Sequence, residues 1–184
     1  MIWSWAVTQK INAVVTEIQK QVPGNTITRP SNTTAYAVGD ALSNDSSNDY
    51  ITFADVTRGG KNTATLVEAV FMSSANQSTL PALDLLLFDR AFTETADNSP
   101  CAITDAEMVA GLIGVVSAPV ADWNPVNAAA GASGNAMCHV TDLAIRVRTK
   151  TSENRDIYGQ LVLRNTYTPV SDEQFDVLLK FKQD

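Results

Sequence analysis

The residues that could do nucleophilic or acid–base chemistry are few and scattered along the 184-residue chain. The single histidine, His139, directly follows Cys138, and the other cysteine is Cys101. Adjacent residues of a strand point to opposite faces, so a Cys138–His139 dyad is disfavoured. Nucleophilic catalysis also needs an orienting group brought to the base. We expect two free, buried thiols, and the spacing leaves a disulfide open.

The carboxylates do not single out a catalytic pair. Asp84 and Asp89 flank a leucine-rich run, and Asp97, Asp105 and Glu107 follow it. Isolated acids near turns are usually solvated or cap helices. The sequence therefore predicts no active site and no enzymatic activity.

Metal and cofactor motifs are also missing from the sequence. One histidine and two cysteines do not supply the ligand set of a zinc site. The polar run 44–49 could offer oxygens to Ca²⁺, but it lacks the glycine and final glutamate of an EF-hand loop, which favours a hairpin tip. Gly59-Gly60-Lys61 lacks the spacing of a phosphate loop. We expect no cofactor and no bound metal.

The charge balance bears on partners. The net charge is −7 and the pI is about 4.6, which argues against nucleic acid and anionic membrane as partners. The densest basic stretch, within 146–155, has the alternation of a solvated strand face. Charged residues interrupt the apolar residues at the N-terminus, so no signal peptide and no membrane span is predicted, and synthesis in the cytoplasm is expected.

Residues 1–22 differ from the rest of the chain. They carry an apolar stripe at helical spacing, ended by Pro23-Gly24, which predicts an N-terminal α-helix or arm. The stripe and its neighbours are the expected contact with sister copies or with another protein: Trp3, Trp5, Val7, Ile11, Val14 and Ile18. A helix of this length is marginal in water, so the stripe must be buried on its own domain, on sister copies or on another protein.

Residues 26–184 alternate short β-rich runs with turn-forming clusters, which predicts one antiparallel β-sandwich. The predicted strands are Thr26–Arg29, Ala35–Leu42, Tyr50–Thr57, Ala64–Ser73, Ala82–Phe88, Leu112–Ser117, Val140–Lys150, Asp156–Arg164 and Gln174–Lys182. Period-two alternation in the last of these predicts that Phe175, Val177, Leu179 and Phe181 face the core, and Leu143, Ile145 and Val147 are expected to do the same.

Two further local features are legible. Leu83–Phe88 is apolar on both faces near its end, which indicates a central strand or one covered by another element. Thr104 followed by Glu107 has the pattern of a capping box and predicts a helix start.

Two segments resemble a group of virion structural proteins of tailed bacteriophages. The first contains Thr28-Arg29-Pro30 and then Ala35-Tyr36 and Gly39-Asp40. The second runs from Ile157-Tyr158-Gly159 through Tyr167-Thr168-Pro169 to Phe175 and the terminal Gln183-Asp184. The ordered set spans roughly residues 26–184, and residues 1–22 lie outside the resemblance.

The resemblance implies a component of the phage particle, and we favour a capsid decoration, or cement, protein of jelly-roll-like architecture. Its expected partners are the major capsid protein and further copies of itself, as a homotrimer on the head surface. A tail, neck or baseplate component is the alternative within the same particle. A glycan-binding jelly roll for host attachment is the alternative outside it, with Trp123 as the candidate aromatic platform.

Overall fold

The computed structural model describes residues 18–44, 50–127, 134–151 and 154–184. These residues form two antiparallel β-sheets and one short α-helix. The mainly-β class predicted from the sequence is thus confirmed, and the arrangement is β-sandwich-like.

The larger sheet has seven strands: β1 (Gln19–Pro23), β2 (Ile27–Thr28), β5 (Thr63–Ser73), β8 (Trp123–Pro125), β9 (Ala136–Val140), β10 (Ile145–Arg148) and β12 (Gln174–Gln183). The smaller sheet has five: β3 (Ala41–Leu42), β4 (Ile51–Phe53), β6 (Leu83–Phe88), β7 (Leu112–Ala118) and β11 (Ile157–Leu163). Helix α1 (Asp105–Gly111) and a 3-10 turn (Val120–Asp122) flank β7.

The long β5–β12 ladder is the centre of the larger sheet. Its register runs from Phe175 opposite Ser73 to Gln183 opposite Ala64, with a bulge between Lys180 and Phe181. The strand order is β1-β12-β5-β9-β8, with β2 also on β12 and β10 also on β5. The smaller sheet has the order β3-β11-β6-β7, with β4 also on β11.

The main core lies between the two sheets. Phe175, Val177, Leu179 and Phe181 are all buried, as their alternation predicts. Val147 is buried as well, while Leu143 and Ile145 are partly buried against the same core. The period-two pattern therefore identifies the core face of β12 and β10 correctly.

Strand β6 is buried on both faces. Leu83, Leu85 and Leu87 belong to the main core, and Leu86 and Phe88 belong to a second apolar cluster with Val162 and Phe92. Met108 of α1 packs against this second cluster, and β6 lies between β11 and β7. The prediction of a central, covered strand is confirmed, as is the Thr104–Glu107 capping box of α1.

The helix predicted over residues 1–22 is wrong at its C-terminal end. Gln19–Pro23 is β1, and it pairs with β12 from Lys182 to Leu178. The helical spacing that ends at Ile18 does not continue, because Val22 is buried in the sheet core and the β12 ladder fixes its backbone. The β body therefore begins at residue 19 rather than 26. Residues 1–17, with Trp3, Trp5, Val7, Ile11 and Val14, lie outside the described residues.

Other boundaries differ where turns interrupt the predicted strands. Only residues 41–42 of Ala35–Leu42 are in a strand, with isolated bridges at Tyr36 and Asp40. The predicted Val140–Lys150 strand is divided between the end of β9 and β10, and Asp142 between them has a positive φ of 57°. Strand β8 was not predicted, because its three residues sit within a loop-like sequence.

Gly159 of β11 lies where buried side chains of the neighbouring strands β6 and β4 pack directly against its backbone. A Cβ atom there would lie 2.7 Å from Leu85 Cδ1 and 3.1 Å from Phe53 Cε2. The register of β11 has no shift at this position, so the residue serves packing and not a bulge. Any larger side chain must displace buried neighbours.

Gly159→Ala should lower the free energy of unfolding by about 1–3 kcal/mol, because an added methyl group overpacks a dense core. Gly59→Ala is the matched control, since its Cβ would meet only Arg155 Nη1 at 3.8 Å. Urea unfolding of both variants checks this. Equal stability of the two variants would contradict the packing role of Gly159.

Candidate functional site

The two segments that carry the phage resemblance meet at one end of the two-sheet body. Strand β2 pairs with the start of β12, and the Arg29 backbone N–H donates to the Glu173 carbonyl at 3.0 Å. Tyr36 and Tyr167 form a backbone bridge beside them. We call Arg29, Tyr36, Asp97, Tyr167 and Glu173 the buried charge cluster.

Arg29 is the centre of this cluster. Its guanidinium lies 3.3 Å from Asp97 Oδ2, and the two side chains are 0% and 6% exposed. The Arg29 Nε donates to the Tyr36 hydroxyl, and its Cζ lies 4.5 Å from the Tyr36 ring centroid. A buried cation thus has both a counter-ion and an aromatic contact, as burial of a charge requires.

Asp97 gathers donors from three different segments. Its Oδ1 accepts from the Tyr36 hydroxyl at 2.6 Å and from the Ser43 backbone N–H at 3.1 Å. Burial and the Asp97 carboxylate raise the pKa of Tyr36, so this phenol stays a neutral donor. These hydrogen bonds connect three parts of the chain: the segment of Arg29 and Tyr36, the loop that begins at Ser43 after β3, and the loop that contains Asp97.

Glu173 forms the second half of the cluster. Its carboxylate accepts from Ser73 Oγ at 2.5 Å, from the Tyr167 hydroxyl at 2.6 Å and from the Val170 backbone N–H at 3.1 Å. Burial raises the pKa of Glu173, and the hydrogen bonds from Ser73 and Tyr167 oppose that rise. Burial also raises the pKa of Tyr167. The Tyr167 hydroxyl accepts a hydrogen bond from Gln77 Nε2 at 2.8 Å.

The remaining motif residues shape the turn that closes this end. Gly39 has a φ of +94°, a conformation that a side chain makes costly. Asp40 Oδ2 accepts from the Ala37 backbone N–H at 2.7 Å and so holds the turn. The Gly-Asp pair is thereby explained by backbone geometry.

The chemistry of the cluster indicates a structural role. Its carboxylates face donors that belong to the fold, and its phenols are held neutral by burial. Nothing in this arrangement provides an exposed nucleophile or base to a substrate.

The Cys138–His139 pair is arranged as strand geometry predicts. Cys138 is fully buried, and burial raises the pKa of its thiol to about 11. His139 points outward and lies 2.7 Å from Glu68 Oε1, whose other oxygen accepts from Lys180 at 3.0 Å. Cys101 is a free thiol packed against the second apolar cluster, so both thiols are free as predicted, but only Cys138 is buried and Cys101 is partly exposed.

The carboxylates singled out in the sequence are dispersed in the structure. Asp84 binds Arg164 Nε at 2.6 Å and accepts from Ser117, and Asp89 binds Arg90 at 2.6 Å. Glu107 caps α1, and hydrogen bonds from the Thr104 backbone and Thr93 lower its pKa to about 2. In the described part of the chain, no group of three or more metal-ligating side chains occurs.

Asn44 of the polar run 44–49 and the predicted loop tryptophan, Trp123, both contribute to the folded body. Asn44 Oδ1 accepts from the Thr28 backbone N–H at 2.8 Å, while residues 45–49 lie outside the described residues. Trp123 opens β8 and is 5% exposed within the main core. The expectation that Trp123 offers an exposed platform for glycans is therefore wrong, because the tryptophan ring is needed to fill the core next to Cys138.

Of the six predicted contact residues, only Ile18 is described. It precedes β1 and is 50% exposed, which leaves its side chain open to a partner. The sequence did not identify the buried charge cluster. Its signal was present in Arg29, a single charge two residues after the buried Ile27 in a short β-rich run.

No protein-family model and no curated protein matches this chain. Within the described residues, no helix is long and apolar enough to cross a membrane.

Arg29→Met should lower the free energy of unfolding by about 3–5 kcal/mol, because it leaves Asp97 buried without a counter-ion. The matched control is Arg146→Met on β10, whose ion pair with Asp184 is exposed and contributes at most about 1 kcal/mol. Chemical denaturation measures both variants. A cost for Arg29→Met as small as that of the control would contradict the central role of the cluster.

Proposed function

We propose that this chain is a structural protein of a tailed-bacteriophage particle, specifically a capsid decoration (cement) protein without enzymatic activity. It binds the outer head surface and bridges neighbouring capsomers of the major capsid protein. The finer architecture, a jelly-roll connectivity of the two sheets, belongs to the same proposal.

The buried charge cluster is the observation that carries this proposal. Arg29, Tyr36 and Gly39-Asp40, which dominate the first resembling segment, all hold the end of the body together. Tyr167 and the start of β12 in the second segment are their partners. The resemblance therefore concerns residues that determine the fold, which supports a shared body with the phage proteins rather than a shared catalytic site.

The surface chemistry supports a role in binding protein. The chain is acidic, and the histidine and carboxylates considered for catalysis engage in helix caps or ion pairs. A protein of this kind contributes by adding buried interface across capsomer joints. Many weak contacts at symmetric sites on a head add up through multivalency.

Residues 1–18 are the proposed contact with sister subunits or the shell, and the proposed oligomer is a trimer. The apolar residues of this segment are Trp3, Trp5, Val7, Ile11, Val14 and Ile18. The segment leads into β1 at one edge of the larger sheet, so it can leave the body without disturbing the core. Head sites of threefold symmetry, which the resemblance implies, would bring three such stripes together.

The particle itself provides the first test. Immunogold labelling with antibodies against this chain, on intact particles of the phage that encodes it, should place the label over the head. A reconstruction of the particle would show the same density between capsomers. Label confined to the tail, neck or baseplate would replace the decoration role by the alternative one, and no label on the particle would overturn both.

Deletion of residues 1–17 should leave a folded β body, because every strand of the two sheets lies in residues 19–183. It should lower the oligomeric mass and weaken capsid binding by more than about tenfold. Light scattering and a capsid co-sedimentation assay measure both quantities.

The stripe can be tested in the full-length chain by the triple change Val7→Ser, Ile11→Ser and Val14→Ser. Its matched control changes three polar neighbours, Thr8→Ser, Asn12→Ser and Thr16→Ser. The first variant should behave like the deletion and the second like the wild type. Normal trimerisation and binding of the deleted protein would contradict the assigned role of the N-terminal segment.

A further inference from the structure

The smaller sheet ends in an open edge at β7. Among the described strands, β7 pairs with β6 alone, from Ala118 opposite Leu83 to Leu112 opposite Phe88. Its inner face is covered, since Ile145 of β10 lies against Gly114. The other side of the β7 backbone therefore presents hydrogen-bonding groups with no described strand beside them.

This edge lacks the features that usually prevent strand pairing. Leu112–Ala118 contains no charged residue and no proline, and the next residue, Pro119, lies beyond the strand. Natural sheets protect open edges with lysine, proline, bulges or a covering element. The bulge in β7 lies near Leu112, at one end, and leaves the rest of the strand regular.

Exposed apolar side chains concentrate at the same place. Six large apolar side chains are exposed in the described residues: Ile18, Val38, Val109, Val115, Val120 and Val126. Three of the six lie on the short segment 109–120, which consists of the end of α1, β7 and the start of the 3-10 turn. The open edge strand and the segments on either side of it thus each carry an exposed valine, and exposed apolar side chains are typical of interaction sites.

We propose that β7 pairs antiparallel with β7 of a second copy of this chain, about a twofold axis through Val115. An antiparallel edge is complementary to itself under a twofold rotation, so the same strand can supply both sides of the ladder. The two five-stranded sheets then join into one continuous sheet. Val115 of each copy stands beside its equivalent, next to Leu86 on the outer face.

The residues at the two ends of β7 are complementary in this arrangement. The Arg90 side chain lies over Gly111, directly before β7, and the exposed Asp122 ends the 3-10 turn that follows β7. The twofold rotation brings the Gly111 end of one copy to the Pro119 end of the other. Arg90, whose guanidinium also contacts Asp89 at 2.6 Å, and Asp122 of the other copy then lie at the same end of the shared ladder, once at each end.

Apolar groups are matched in the same way. Ala106 and Ala110 of α1, with Phe88 and Phe92, line a shallow apolar pocket of about 180 Å³. The same rotation carries Val120 of the second copy towards Ala110. The exposed valine of one copy and the apolar pocket of the other then lie at the same end of the shared ladder.

This contact is independent of the proposed phage function and of residues 1–17. The N-terminal segment enters at β1, on an edge of the larger sheet, whereas β7 is an edge of the smaller sheet. An assembly can therefore use both contacts, one between copies of a trimer and one between trimers. Failure of either contact in an experiment leaves the other intact.

Val115→Lys in the full-length chain tests the contact, because it places two ammonium groups beside each other at the twofold axis. We expect the dissociation constant for pairing of copies to rise by roughly tenfold or more. Sedimentation equilibrium should give a mass at high concentration about half that of the wild type. Val38→Lys, at another exposed valine, is the matched control and should keep the wild-type mass.

A charge exchange tests whether the partner is a second copy. Arg90→Glu alone should weaken self-association, and adding Asp122→Arg should restore it, because the two charges then meet again with reversed signs. Thermal unfolding of each variant confirms that the body stays folded. A wild-type mass unaffected by Val115→Lys would overturn the proposal. So would slow hydrogen exchange of the β7 amides that point away from β6 in a wild-type chain that does not self-associate, since another segment would then cover the edge.

Discussion

The ion pair between Arg29 and Asp97 is the constraint on which this end of the fold depends. Placing a guanidinium where its side chain is fully buried costs several kcal/mol unless a counter-ion and hydrogen bonds replace its water. Asp97, Tyr36 and the Asn32 carbonyl supply those partners from outside β2. The segments that contain Arg29, Tyr36 and Asp97 must therefore be in place together, so this end of the two-sheet body folds cooperatively.

Glu173 extends the same constraint into the larger sheet. It lies at the start of β12, the strand that pairs with β1, β2 and β5, and its carboxylate holds Ser73 at the end of β5. Its backbone carbonyl accepts from Arg29. The cluster therefore positions the main ladder of the sheet relative to the loops that close the body, and the tyrosines between its two halves remain neutral.

The sequence predicted correctly those strands in which buried and exposed residues alternate. It did not predict the segments whose secondary structure depends on pairing with a distant strand. Period-two patterns in β10 and β12 identified core residues correctly, and Leu83–Phe88 was identified as a covered strand. Residues 19–22 were included in the predicted helix because Pro23-Gly24 was taken as its end, but pairing with β12 makes them a strand. The buried charge cluster was not predicted, since the partners of Arg29 are up to 68 positions away. The spacing of residues along a short segment does not reveal contacts with residues that are distant in sequence.

An acidic chain with an uncharged edge strand presents two opposing tendencies. A net charge of −7 repels identical copies at long range, and this repulsion is screened beyond roughly 8 Å at physiological ionic strength. Backbone pairing along β7 would act only at contact, along a strand that carries no charged side chain. Association would then be weak for copies free in solution and strong once a surface holds them at the right spacing. A protein that assembles on a repeating lattice benefits from that order of events, because it remains dispersed until the lattice concentrates it.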